Sequence, residues 1–120
     1  MIEMLMSKIH RATVTDASLN YIGSITISRE MTDLAGICEN QRVTVANINN
    51  GIRFDTYVII TDTPGVICLN GATARLCCVG DLLIIMAYEL VSKEKANDHK
   101  PIVVHVDANN RVLHGERLVT

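Results

Sequence analysis

With 120 residues and an apolar fraction of 48%, the chain can bury one hydrophobic core, which excludes disorder and favours a single domain over 1–120. Eleven Lys and Arg against 13 Asp and Glu leave a net charge of −2, and neither sign forms a run, so no nucleic-acid or membrane partner is expected. No stretch approaches the roughly 18 apolar residues of a membrane helix and no secretory leader pattern opens the chain, so the expected location is cytoplasmic.

The dominant period is two, with β-branched runs separated by turn residues, which predicts a mainly β chain. Residues 4–9 alternate, 12–15 form a short run, and 21–28 read Tyr-Ile-Gly-Ser-Ile-Thr-Ile-Ser. Ser28 is placed to cap a short helix over 29–35, with Gly36 just past its end. Strands follow at 42–48 and 53–61, joined by Asn49-Asn50-Gly51, a tight turn because Asn and Gly accept positive φ. Asp62-Thr63-Pro64-Gly65 turns the chain into a strand at 66–69, and Asn70-Gly71-Ala72-Thr73-Ala74 reads as a turn leading into a short helix. Val79-Gly80-Asp81 is a structural turn before a strand at 82–87. Ser92 precedes a short polar helix over 93–97, which Pro101 ends. A strand at 102–107 and a turn at Asn109-Asn110 complete the elements, and the polar segment after Asp107 is expected to be mobile. There is no repeat or linker, and pattern alone does not fix the strand order.

Cys38, Cys68, Cys77 and Cys78 lack CxxC spacing, so they read as reduced and mostly buried small apolar residues. His10, His99, His105 and His114 are scattered and match no metal motif, and no metal site is expected. Lys8 and His10 lie two apart on a strand and share one face, with Arg11 on the other; a solvated face of an edge strand accounts for them equally well. Gly23-Ser24 inside a strand reads either as a small-residue bulge or as a backbone opened for chemistry, since Gly permits a strained turn and leaves its carbonyl accessible. Arg53 can grip a carboxylate with two parallel hydrogen bonds. The small residues at 70–74 also let backbone amides approach a carboxylate.

Five blocks stand in order along the chain: Lys8-Ile9-His10-Arg11, Tyr21-Ile22-Gly23-Ser24, the run from Asn49-Asn50-Gly51 through Arg53-Phe54-Asp55-Thr56-Tyr57, Asn70-Gly71-Ala72-Thr73-Ala74, and Val79-Gly80-Asp81. Their order and spacing, over about residues 4–101, resemble the pyruvoyl-dependent aspartate 1-decarboxylases. The resemblance implies a six-stranded double-psi β-barrel with short connecting helices, assembled as a homotetramer with active sites between neighbouring subunits. It also implies an activity, conversion of L-aspartate to β-alanine and carbon dioxide for pantothenate and coenzyme A synthesis.

Decarboxylating an α-amino acid leaves a carbanion that a serine cannot stabilise but a ketone-type carbonyl can, a role usually met by a cofactor. By resemblance the cofactor is a pyruvoyl group made from Ser24. The Ser24 hydroxyl attacks the Gly23 carbonyl to form an ester, elimination leaves dehydroalanine, and hydrolysis gives the pyruvoyl group with loss of ammonia. The chain would thereby become residues 1–23 (β chain) and 24–120 (α chain). Also by resemblance, Lys8 and Arg53 anchor a substrate carboxylate, and His10 hydrogen-bonds near the cleavage point. Thr56 orients the Gly23 carbonyl, and Tyr57 protonates the carbanion. Asn70, Gly71, Ala72 and Thr73 surround the pyruvoyl group and substrate.

Three positions depart from the family pattern: Asp55 where Ser is common, Ala46 where some members have Trp, and Thr73 where many have Ala. Asp55 adds a negative charge beside the expected anion site, which bears on affinity and not on reaction type. The alternative is a non-enzymatic β-barrel binding or assembly module in which Ser24 is never processed.

Overall fold

The computed structural model describes residues 1–20 and 22–117. The chain is mainly β, as the period-two pattern predicts. Among the described residues nine strands hydrogen-bond in the order β2-β6-β3-β5-β4-β7-β1-β8-β9, where the family resemblance implies a barrel of six. They are β1 Ile2–Thr13, β2 Asp16–Ser18, β3 Ser24–Ser28, β4 Arg42–Asn47, β5 Arg53–Thr61, β6 Ile67–Asn70, β7 Leu82–Val91, β8 Ile102–Val106 and β9 Val112–Arg117. One α-helix, α1 (Arg29–Ala35), and two 3-10 helices, Gly71–Leu76 and Lys93–Asp98, connect them.

Alternation decides which face of each strand is core. Ile9 on β1, Val43 and Val45 on β4, Val58 on β5 and Leu83 and Ile85 on β7 are fully buried. Their strand neighbours Lys8, His10, Thr44, Ala46, Ile84 and Met86 are half-buried on the opposite face. Ile25, Ile27, Ile67 and Leu69 extend the core across β3 and β6. Each such Ile or Leu contributes roughly 1.5–3 kcal/mol on leaving water, so Ile27→Ala is expected to cost about 2–5 kcal/mol.

Residues 4–9 and 12–15 were expected as separate strands, but most of them belong to one. β1 runs on to Thr13 between β7 and β8 because a bulge at His10/Ala12 absorbs the extra residue, with Arg11 in the left-handed region at φ 63. β3 begins at Ser24, later than the predicted start at Tyr21, which lies outside the described residues. Ser28 occupies the N-cap position of α1 without capping it. Its hydroxyl donates to the Thr63 carbonyl at 2.7 Å and accepts from the Val66 N–H at 2.6 Å, tying the helix start to the next loop. Ser92 likewise makes no side-chain cap, and its helix is of the 3-10 type.

The segment after Asp107 is ordered as far as it is described, contrary to expectation, because β9 pairs antiparallel with β8. Glu30 anchors its start by accepting from the Val112 N–H at 3.1 Å and pairing with Arg111 at 3.1 Å. The turn before it carries a buried clamp: the Asn110 side chain accepts from the Thr13 N–H at 2.7 Å and donates to the carbonyls of Thr13 and Gly65. Gly65 is required there, since a Cβ would sit 2.8 Å from the Asn109 carbonyl oxygen. The cysteines are less buried than expected: Cys77 is buried, Cys68 half-buried, and Cys38 and Cys78 exposed.

Candidate active site

Ser24, the first residue of β3, stands directly opposite Asn70, the last residue of β6. The two strands are otherwise apolar on their inner side, so these polar side chains are set on the outer side of a packed sheet. Ser24 is fully buried yet satisfied, as buried hydroxyls must be. Its hydroxyl donates to the Ile22 carbonyl at 3.2 Å and accepts from Asn70 Nδ2 at 2.9 Å. The same amide nitrogen donates to Thr26 Oγ1 at 3.0 Å. A cavity of about 630 Å³ lies over the group, with Ile22, Ser24, Thr26, Ile59, Cys68 and Asn70 in its lining.

The chain turns from β6 into its first 3-10 helix at Gly71, whose φ of 65° explains the glycine. Thr73 in that helix donates to the Asn70 carbonyl at 2.8 Å and reaches the Ser24 carbonyl at 3.4 Å. The extra hydroxyl of this departure from the family pattern is therefore used within the site. Ala72 is exposed in the same turn. Gly23 does not follow the expectation of strain: it is not in the left-handed region, and an added Cβ would meet only the Asn70 carbonyl oxygen at 3.9 Å.

β5 runs parallel to β3, with Val58 beside Ile25. Counting back one residue on each strand sets Tyr57 level with Ser24 and on the same face; counting back two sets Thr56 level with Gly23. Arg53 and Asp55 share the Tyr57 face, because the β4–β5 register is unbroken.

Lys8 and Arg53 are both placed beside Met86. Lys8 pairs with Met86 across β1 and β7, and Arg53 Nη2 lies 3.7 Å from the Met86 sulfur. Arg53 and Tyr57 are four positions apart, about 13 Å along an extended strand. A single chain thus sets the candidate residues in two groups, Ser24, Asn70 and Thr73 with Tyr57 level with Ser24 in one, and Lys8 and Arg53 beside Met86 in the other.

Asp55 is not paired with Arg53. It accepts from the Thr44 hydroxyl at 2.7 Å and pairs with Arg42 at 2.6 Å, and these two contacts hold its carboxyl below the usual range. The histidines are not scattered in space: His105 stacks on His114 with ring centres 4.5 Å apart, and His10 meets His105 edge-on at 5.9 Å. Burial, then the charges of Lys8, His105 and Arg11, push the His10 pKa down, and its Nδ1 has no hydrogen-bond partner among the described residues.

Sequence reasoning missed Thr26, Cys68 and Met86. The signal for the first two was present, since Thr26 and Cys68 stand two residues from Ser24 and Asn70 on their strands and so share their face. Met86 needs the strand order, which the sequence does not contain.

A small, mainly β chain with a buried serine after a glycine, an amide on its hydroxyl and a separate cationic cluster defines a candidate serine-derived enzyme centre. A model of the aspartate decarboxylase family matches residues 1–113, and the chain belongs to that family. Aspartate 1-decarboxylase of Caldicellulosiruptor saccharolyticus is 59% identical over 94% of this chain and 89% of that protein. The proteins of the same name from Campylobacter fetus and Helicobacter pylori (strain HPAG1) are 53% and 52% identical, each over 92% of this chain and 96% of theirs.

Proposed function

We propose that the chain decarboxylates L-aspartate to β-alanine and carbon dioxide, supplying pantothenate and coenzyme A synthesis, with a pyruvoyl group made from Ser24. The observation that carries this reading is the Ser24 hydroxyl, buried one residue after Gly23 and held between the Ile22 carbonyl and Asn70 Nδ2, in a chain of this family. In self-processing, Ser24 Oγ bonds to the Gly23 carbonyl carbon while the peptide nitrogen departs as an amine. Elimination then takes the α-hydrogen of residue 24 and breaks its Cβ–Oγ bond, leaving residues 1–23 with a free carboxylate. Water replaces the nitrogen of the resulting dehydroalanine, and ammonia leaves. The Asn70 amide stays on Oγ throughout, first orienting it and then meeting the negative charge it acquires as the leaving oxygen. Thr56, level with Gly23, orients the Gly23 carbonyl, and His10, reaching the cleavage point from a neighbouring subunit with the Lys8–Arg53 group, assists there.

The residues present fit such a group: Ser24 is buried, its hydroxyl is satisfied, and a cavity lies beside it. When formed, the pyruvoyl ketone supplies the electron sink that decarboxylation requires. Lys8 and Arg53 hold the carboxylate that the product keeps, Arg53 through its two-pronged guanidinium. Asn70, Gly71, Ala72 and Thr73 border the substrate, and the Tyr57 phenol returns a proton to the substrate carbon. The separation of about 13 Å along β5 between Arg53 and Tyr57 supports a homotetramer in which the Lys8–Arg53 half-site of one subunit completes the Ser24–Tyr57 half-site of its neighbour. Unpaired cysteines favour a reducing compartment, the cytoplasm. Among the described residues no helix is long and apolar enough to cross a membrane.

Intact mass spectrometry of wild type and Ser24→Ala tests the reading. The wild type is expected as fragments 1–23 and 24–120, the larger lighter by one ammonia than hydrolysis alone would leave it, and Ser24→Ala as one uncut, inactive chain. An uncut wild type after prolonged warming favours the unprocessed binding module.

A further inference from the structure

We propose that Cys68 is a positioning residue for the chemistry at Ser24, acting through Asn70; the proposal rests on the self-processing reading above. An asparagine amide can present either its oxygen or its nitrogen to a neighbour, and the two ends have opposite effects on a hydroxyl. The single hydrogen of Ser24 points at the Ile22 carbonyl, so Ser24 Oγ offers Asn70 only lone pairs. Asn70 must answer with Nδ2, which donates to Ser24 and Thr26 together. That orientation sends Oδ1 the other way, to Cys68 Sγ at 3.2 Å. The thiol's other acceptor, the Leu69 carbonyl, is 4.0 Å away, so the thiol hydrogen goes to Asn70.

The strand register makes this contact. Cys68 and Asn70 are two apart on β6 and point to one side, while Thr26 and Ser24 face them from β3 in the pairs Thr26–Cys68 and Ser24–Asn70. The four side chains form one polar patch, and Cys68 is the donor that reinforces, from the Oδ1 end, the amide orientation that Ser24 and Thr26 require. Burial and the nearby Asp16 carboxylate push the thiol pKa up, which keeps it a protonated donor. Without that donor, Oδ1 has no protein partner among the described residues, and a flipped amide would set oxygen against the Ser24 oxygen. The flipped form is unproductive, since it withdraws the N–H that orients Oγ and stabilises it as a leaving oxygen.

The test follows cleavage of freshly made precursor into 1–23 and 24–120 by intact mass over time. Cys68→Ala, and Cys68→Val, which fills the thiol's volume without a donor, are expected to cleave about 3- to 10-fold more slowly, the scale of one neutral hydrogen bond. Cys68→Ser, which restores a donor, is expected to remain within about two-fold of wild type. In an Asn70→Ala background, Cys68→Ala is expected to add nothing, because its effect passes through the amide. Wild-type cleavage rates in both donorless variants, failure of serine to rescue, or an undiminished effect without Asn70 would each overturn the assignment. Those results differ from failure of the underlying reading, in which wild type itself stays uncut and the assignment falls with it.

Discussion

The two half-sites within one chain allow an experiment whose outcome is a ratio. Arg53 and Tyr57 lie on the same face of β5 with their backbones about 13 Å apart, and Arg53 lies against the Met86 sulfur, an arrangement that suits service to two different sites. If a neighbour's Arg53 serves each Tyr57, two damaged chains repair one another. Arg53→Ala is expected to lose about 10- to 100-fold in kcat/KM with the charged hydrogen bonds to substrate. Tyr57→Phe is expected to lose about 10²–10⁴-fold with the proton donor. Co-expressed in equal amounts with different tags, both chains enter the same assemblies at random. A site is whole when the subunit giving Tyr57 is the Arg53→Ala chain and the subunit giving Arg53 is the Tyr57→Phe chain. That combination arises in about one half times one half of the sites, so doubly tagged assemblies should recover about a quarter of wild-type activity. Activity no greater than the mean of the two parents would refute the shared site and place both residues in one chain's centre.

Tyr57→Phe taken alone is expected to be cut and to carry a normal content of pyruvoyl groups by hydrazine labelling while turning over about 10²–10⁴-fold more slowly; wild-type rates in a fully processed sample would move the proton donor elsewhere. The lowered His10 pKa means that the unfolded chain binds this proton more readily, so stability falls as pH drops from 6.5 through the folded value. His10→Gln is expected to flatten that part of the Tm profile, and an unchanged slope would show that other groups set it. In the native protein a thiol reagent is expected to label exposed Cys38 and Cys78 first, and Cys77, whose thiol burial pushes up to about 11, only on unfolding. Early labelling of Cys77 would contradict its buried, protonated state.

Much of the fold was legible because alternation reports burial directly. The predicted strands at 42–48 and 53–61 match β4 and β5 closely, and the one at 82–87 covers the first six residues of β7, which are apolar on both sides, while the strand continues to Val91. β9 was not legible because it pairs at an edge with an exposed outer side, and the polarity that marks a loop also marks such a strand. Ser28 satisfies the sequence rule for a cap, but its hydroxyl bonds to residues 35 and 38 positions further on, contacts no local pattern can report. The opposition of Ser24 and Asn70 likewise depends on the pairing of β3 with β6 across 46 positions. Residue types gave the ingredients of the site, and the separation of Arg53 from Tyr57 emerged only with strand geometry.

Asp55 shows why a charge counted in the sequence is a poor guide to the field at a site. It stands two residues from Arg53 on the same strand face, where an unpaired carboxylate would attract the guanidinium meant for substrate. β4 prevents this by setting Arg42 and Thr44 against it, so its charge is met within the β4–β5 strand pair. Ala46, directly opposite Arg53 in the β4–β5 pair, is small where a tryptophan would crowd the arm, and Arg53 lies instead against the Met86 sulfur. The two departures work together: Asp55 is satisfied within its own strand pair, and Arg53 keeps both its reach and its charge. On the proposed reading this pairing pattern would leave Arg53 available to the second carboxylate of a substrate, which the net charge of the chain does not reveal.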